Sequence, residues 1–193
     1  MTSFQLFARP WWVNLFILLP FVVYFAWRKR GLTLAKSTLI ITALFGIAFG
    51  FIEAAVVVYL RATVGLLPGY GGTLTDVARL SVDLYQQSQI LAELPKSLLA
   101  VEFFREFATL VMLATVALLA AKTRRERIAL FLWTSAAWDI FYYVGLWATV
   151  RWPTSLISPD VLFLIPVPWL SQVWFPLLVS ALTMIAVALS RRK

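Results

Sequence analysis

The sequence predicts an all-α integral membrane protein, a bundle of five transmembrane helices with one amphipathic helix on its outer side. Hydrophobic residues make up 62% of the 193 residues and charged residues only 13%, and the mean hydropathy is +0.86. These values lie far from the balance of a soluble domain. Five apolar stretches approach the roughly 20 residues that a helix needs to cross a bilayer. The whole chain is therefore predicted to form a single integral membrane domain.

The five predicted spans are residues 10–27, 37–60, 97–121, 128–150 and 161–190. Apolar character is continuous within them rather than alternating, which favours helices over the strands of a barrel. The last span opens with SPDVLFLIPVPWLSQVWFP, whose prolines remove backbone donors. We therefore expect a broken or kinked beginning there, with a continuous helix only from near Trp169.

The one long connection, residues 61–96, is predicted to lie on the outer side and opens with several glycines. After these, apolar residues recur at helical spacing, at Val77, Leu80, Leu84 and Leu91. Polar residues lie between them, which is typical of an amphipathic helix at a membrane interface. Two interpretations stay open: simple packing on the membrane surface, or a lid over the outer mouth of the bundle.

Basic residues gather after the first, third and fifth predicted spans. The clusters are Arg28, Lys29, Arg30 and Lys36; Lys122, Arg124, Arg125 and Arg127; and Arg191, Arg192 and Lys193. The positive-inside rule therefore predicts a multi-pass protein of the inner cell membrane with its N-terminus outside and its C-terminus in the cytoplasm. The net charge of +8 comes largely from these clusters at the ends of the spans, where they act as topology signals. The expected partner is therefore the lipid bilayer and not nucleic acid.

The chain contains neither cysteine nor histidine. Disulfides, thiol chemistry and the commonest ligands of zinc, iron and haem are therefore excluded. Any metal would need oxygen ligands, and no metal site is assigned. One alternative is a calcium, magnesium or manganese ion held by Glu102 and Glu106, which stand one helical turn apart. The cofactor stays unknown from the sequence.

Four carboxylates lie inside the predicted spans, at one level of the outer half of the membrane. They are Glu53, Glu102, Glu106 and Asp139. An ionised side chain at the bilayer centre costs at least about 2.5 to 3.5 kcal/mol, and such residues are usually functional. Arg105 is expected to neutralise one acid, Asp139 or Glu106, through a bidentate pair. Since the acids then outnumber the base, the pattern predicts a site that binds protons or positive charge.

Helical spacing places these charges on common faces of their helices. In the second span, Gly46 and Gly50 form a GxxxG pattern that predicts close helix packing along the edge that carries Glu53. Aromatic rings beside carboxylates suit a cation. The candidate binding residues are Glu53, Glu102, Arg105, Glu106, Trp138, Asp139, Tyr142 and Tyr143. The alternative is that they only hold the helices together, with Glu102 and Arg105 forming an ordinary pair within one helix.

The preferred functional hypothesis is an acidic, aromatic-lined intramembrane cavity that binds or conducts a cation or proton, in a transporter or a ligand-binding protein. Five helices without an internal repeat are few for a self-contained transporter, so a homodimer would suit this hypothesis. One alternative is an intramembrane enzyme acting on a lipid or isoprenoid by general-acid catalysis. Another is a non-catalytic subunit of a membrane complex.

Two segments, WDIFYYVGLW and SPDVLFLIPVP, resemble the carotenoid lycopene-cyclase domain of small membrane proteins. The resemblance covers a small part of the chain and implies an isoprenoid substrate within the membrane. The chain departs from that family where paired glutamates are expected, because a lone Asp160 stands there. No catalytic residue is carried over.

Overall fold

The structure, a computed structural model, describes residues 4–63, 71–77, 79 and 96–192. It is mostly helical, with 70% helix and 8% strand, so the helical class is confirmed but the all-α prediction is corrected by a small sheet.

A 3₁₀ segment, Trp11–Leu18, continues as α1, Leu19–Trp27. The other helices are α2, Lys36–Thr63; α3, Lys96–Ala120; α4, Arg124–Val150; and α5, Trp174–Leu189. The strands β1, Pro159–Phe163, and β2, Trp169–Gln172, lie between α4 and α5.

Three helices in the described part of the chain are long and apolar enough to cross a membrane. They are Lys36–Tyr59, Leu99–Ala120 and Arg124–Val150. Trp11–Trp27 and Trp174–Leu189 are apolar but shorter. The predicted amphipathic helix in the 61–96 connection lies largely outside the described residues.

The prediction of a helical span over residues 161–190 is wrong in its first half. There β1 and β2 pair antiparallel, with Asp160 opposite Ser171. The proline-rich residues 164–168 form the connection between the strands, because proline lacks a backbone donor and disfavours helix in the residue before it. The N-terminal segment adds to this sheet, since Arg9 and Leu170 exchange two backbone hydrogen bonds of 2.7 Å. The continuous helix starts only at Trp174, later than predicted.

The backbones of α2 and α4 lie in direct contact, as the GxxxG pattern predicts. A Cβ atom on Gly46 would lie 2.6 Å from the Thr134 carbonyl oxygen, and one on Gly50 would lie 2.5 Å from the Trp138 carbonyl oxygen. Only glycine allows this approach, because any side chain would overlap a main-chain atom that cannot move away. The contact holds Glu53, three residues after Gly50, beside the middle of α4.

The basic residues that follow α1, α3 and α5 lie at one end of the bundle. The Leu32 amide donates to the Ser190 carbonyl at 2.8 Å, and the Arg192 amide donates to the Leu32 carbonyl at 2.9 Å. Arg125 at the start of α4 donates to the Gly31 carbonyl at 2.9 Å. The β1–β2 hairpin lies at the other end, where α4 finishes and α5 begins.

We expect Gly50→Ala to lower the melting temperature of the protein in detergent, measured by tryptophan fluorescence. In an open helix, alanine would stabilise by about 1 kcal/mol relative to glycine. Here the added methyl group meets a backbone oxygen, and overpacking of this kind costs about 1 to 3 kcal/mol. Ala48→Leu, on an exposed face of the same helix, is the control and should leave the melting temperature unchanged. A melting temperature of Gly50→Ala at or above that of the unchanged protein would contradict the packing described.

Candidate functional site

Arg105 on α3 lies between two glutamates. Its Nε donates to Glu102 Oε2 at 2.7 Å, and its Nη1 forms an ion pair with Glu53 on α2. Thr109, one turn further along α3, donates its hydroxyl to the second oxygen of Glu53 at 3.4 Å. Glu53 and Glu102 are buried, and so is Glu106, which follows Arg105 on α3.

The predicted pairing of Arg105 with Asp139 or Glu106 is wrong. Glu102 precedes Arg105 by three residues, a spacing at which helical side chains are neighbours. Glu53 reaches the arginine from α2, on the helix edge that the glycine contact places against α4. The arginine is therefore engaged by Glu53, which sequence reasoning did not assign to it, and by Glu102, which the sequence offered as its partner only in the structural alternative.

Glu106 is held by a backbone donor. The Leu164 amide, just after β1, donates to Glu106 Oε2 at 2.8 Å. The hairpin is thereby tied to α3, and the carboxylate receives a neutral hydrogen-bond donor. Sequence reasoning missed this contact, because nothing in the pattern around Leu164 indicates that the segment folds back over α3.

The two aspartates of the site are held by hydroxyl groups. Ser180 on α5 donates to Asp139 Oδ2 at 2.7 Å, and Tyr143 donates to Asp160 Oδ2 at 2.8 Å. Tyr143 is only 4% exposed, so its hydroxyl is well placed to hold a buried acid. Ser180 was also missed by sequence reasoning, because a lone serine in an apolar helix carries no signal of its partner.

These side chains surround a cavity of about 50 Å³, which we call the acidic cavity. Seven of the eight predicted binding residues line it: Glu53, Arg105, Glu106, Trp138, Asp139, Tyr142 and Tyr143. Glu102 does not line it and instead contacts Arg105. The hairpin supplies a further wall through Val161, Leu162 and Phe163. A cavity of this size holds a few water-sized groups at most.

Acidic groups outnumber basic groups around the acidic cavity. Among the residues that the structure describes, Arg105 pairs with Glu53 and Glu102, whereas Glu106 and Asp139 form no ion pair. Hydrogen bonds from an amide and a hydroxyl solvate these two carboxyls but bring no counter-charge. In surroundings of low dielectric, an uncompensated carboxylate is costly, so positive charge in the cavity would be stabilised.

A second, larger cavity of about 400 Å³ adjoins the acidic cavity, and we call it the apolar groove. Its walls come from Val13 and Phe16 before α1, from α4, from α5 and from the hairpin. Trp138, Asp139, Leu162 and Phe163 line both spaces, so the two meet at Asp139. Its volume lies in the range of small-molecule sites.

The described residues contain no group of three or more carboxylates placed to hold a metal ion. The alternative in which Glu102 and Glu106 share a divalent cation also conflicts with the contacts of these residues. Glu102 binds Arg105, and Glu106 binds the Leu164 amide. The two carboxylates therefore face different partners.

Comparison of the chain with protein-family models, with curated proteins and with solved structures gives no match. The resemblance to the lycopene-cyclase domain therefore gains no support from these comparisons. The interpretation of the site rests on its own geometry.

We expect Arg105→Gln to destabilise the protein by about 3 to 5 kcal/mol, because it leaves two buried carboxylates without their counter-charge. Adding Glu53→Gln should recover part of the loss, since one of the uncompensated charges is then removed. Denaturant unfolding in detergent of Arg105→Gln, of Glu53→Gln and of the double variant measures both effects.

The control for these unfolding measurements is Arg79→Gln. Arg79 pairs with Asp76 at 3.5 Å, but its side chain is 68% exposed, so its loss should cause no measurable change. Equal losses for the two arginine variants, or strictly additive effects of Arg105→Gln and Glu53→Gln, would contradict the network.

Proposed function

We propose that this chain is an integral membrane protein that binds a small monovalent cation or a proton in the acidic cavity. The excess of carboxylates over bases is the observation that carries the proposal. Arg105 is already shared by Glu53 and Glu102, while the described partners of Glu106 and Asp139 are neutral. A bound cation would supply the missing counter-charge.

The size and the walls of the cavity favour a small cation. The cavity is small, about 50 Å³, which favours a compact cationic group such as an ammonium or methylammonium ion. Trp138 and Tyr142 form a stacked aromatic wall with ring centroids 6.5 Å apart. Aromatic faces attract cations, most strongly where water is excluded. Because the cavity is formed by α2, α3, α4 and the hairpin together, ligand binding would also hold these elements together.

The proposal includes five membrane crossings, with the N-terminus outside and the basic end of the bundle in the cytoplasm. A helix of 16 residues, such as α5, is about 24 Å long and falls short of a hydrocarbon core of about 30 Å. The hairpin that precedes α5 would complete its crossing, since non-helical backbone is tolerated at membrane depth where protein buries it. The grouping of the basic clusters at one end supports a common cytoplasmic side.

A second function is favoured by the apolar groove, namely an intramembrane enzyme that acts on a lipid or isoprenoid. In that case one of the carboxyls at the junction would act as general acid. Turnover of added lipid, followed by mass spectrometry and lost in Asp139→Asn, would distinguish catalysis from binding.

We expect the purified protein in phosphatidylcholine nanodiscs to bind radiolabelled methylammonium saturably. Glu106→Gln and Asp139→Asn should each weaken this binding by about tenfold or more, because each removes a negative charge while preserving shape. Glu126→Gln is the matched control, since Glu126 lies at the opposite end of α4 and bonds Thr33 and Thr123. Binding that is absent in the unchanged protein, or unaffected by both cavity variants, would rule out this function.

The orientation is testable because the chain contains no cysteine of its own. Lys29→Cys and Ser155→Cys place single thiols at exposed positions on opposite ends of the bundle. We expect a membrane-impermeant maleimide to label Ser155→Cys on intact cells and to label Lys29→Cys only after permeabilisation. The reverse pattern would invert the proposed topology, and labelling of both from outside would exclude it.

A further inference from the structure

The apolar groove opens beside the carboxylate that it shares with the acidic cavity. Asp139 lies at the junction of the two spaces, with Trp138 and the hairpin residues Leu162 and Phe163 on either side. From this junction the groove follows α4 as far as Phe131, eight positions away. Eight helical residues correspond to about 12 Å along the helix axis. The groove is thus an elongated apolar space with an acidic end.

The direction of the groove matches that of a lipid chain. Phe131 lies nearer than Asp139 to the basic end of α4, so the groove runs from the acidic cavity toward that end of the bundle. If α4 crosses the membrane, the groove lies along the bilayer normal, as acyl chains do. A molecule with its polar group at Asp139 would therefore have its chain parallel to the surrounding lipid.

We infer that the two spaces together form one binding site for a single-chain lipid with a protonated amine head. The head lies in the acidic cavity near Asp139 and Glu106, and the hydrocarbon chain fills the apolar groove. This inference rests on the proposed function and adds the chain to the cation. Charge complementarity selects the amine, because a neutral head leaves the excess of carboxylates uncompensated and an anionic head increases it.

The test compares dodecylamine with methylammonium, both radiolabelled, on the protein in phosphatidylcholine nanodiscs, with empty nanodiscs subtracted for partitioning. We expect dodecylamine to bind saturably and at least about tenfold more tightly than methylammonium. Dodecanol and dodecanoate at the same concentrations should not displace it. Displacement by either would overturn the amine assignment.

Two variants narrow the groove without touching the carboxyls. Ala136→Leu acts from α4 and Val179→Phe from α5, and both positions line the groove. Each should weaken dodecylamine binding by about tenfold while leaving methylammonium binding intact, which also shows that the variant is folded. Ala148→Leu, exposed on α4 and outside both cavities, should change neither.

The outcomes separate this inference from the proposed function. The inference fails and the cation site stands if methylammonium binds but dodecylamine binds no more tightly. The same conclusion follows if the groove variants bind dodecylamine as tightly as the unchanged protein does. If neither amine binds, both fail. Loss of dodecylamine binding in the groove variants alone supports the lipid site.

Discussion

The sharing of Arg105 between Glu53 and Glu102 is the interaction on which the rest of the site depends. It joins α2 to α3 and uses the positive charge of the arginine on two acids at once. Glu106 and Asp139 are thereby left with neutral donors, the Leu164 amide and the Ser180 hydroxyl. Burying charge without a partner is expensive, so the arrangement favours whatever brings positive charge into the cavity.

Backbone packing sets the positions of these charges. The glycine edge of α2 lies against the carbonyl oxygens of α4, and this contact fixes the height at which Glu53 meets α3. On the other side of the cavity, the β1–β2 hairpin covers the carboxyls with apolar side chains and one backbone donor. Water is therefore restricted by protein on several sides, which strengthens electrostatic interactions inside.

The helices and the candidate residues were predictable from local pattern, but their pairing was not. Continuous apolar runs predicted α2, α3 and α4 nearly to their ends, and helical spacing brought seven predicted residues to one cavity. The pairing of Arg105 with Glu102 follows helical spacing, but its pairing with Glu53 depends on how closely α2 approaches α3, which no spacing along the sequence encodes. The prolines predicted a break before α5, yet a strand pairing between Asp160 and Ser171 depends on contacts across a turn. Ser180 and the groove emerge only when α4, α5 and the hairpin are placed together.

An experimental density map at side-chain resolution, recorded in nanodiscs with methylammonium present, tests the central claim most directly. The account predicts density for a bound ion between the Glu106 and Asp139 carboxyls, with Arg105 bridging Glu53 and Glu102. The same four carboxylates spread apart and facing bulk water, or Arg105 turned to neutralise Glu106 and Asp139, would contradict it.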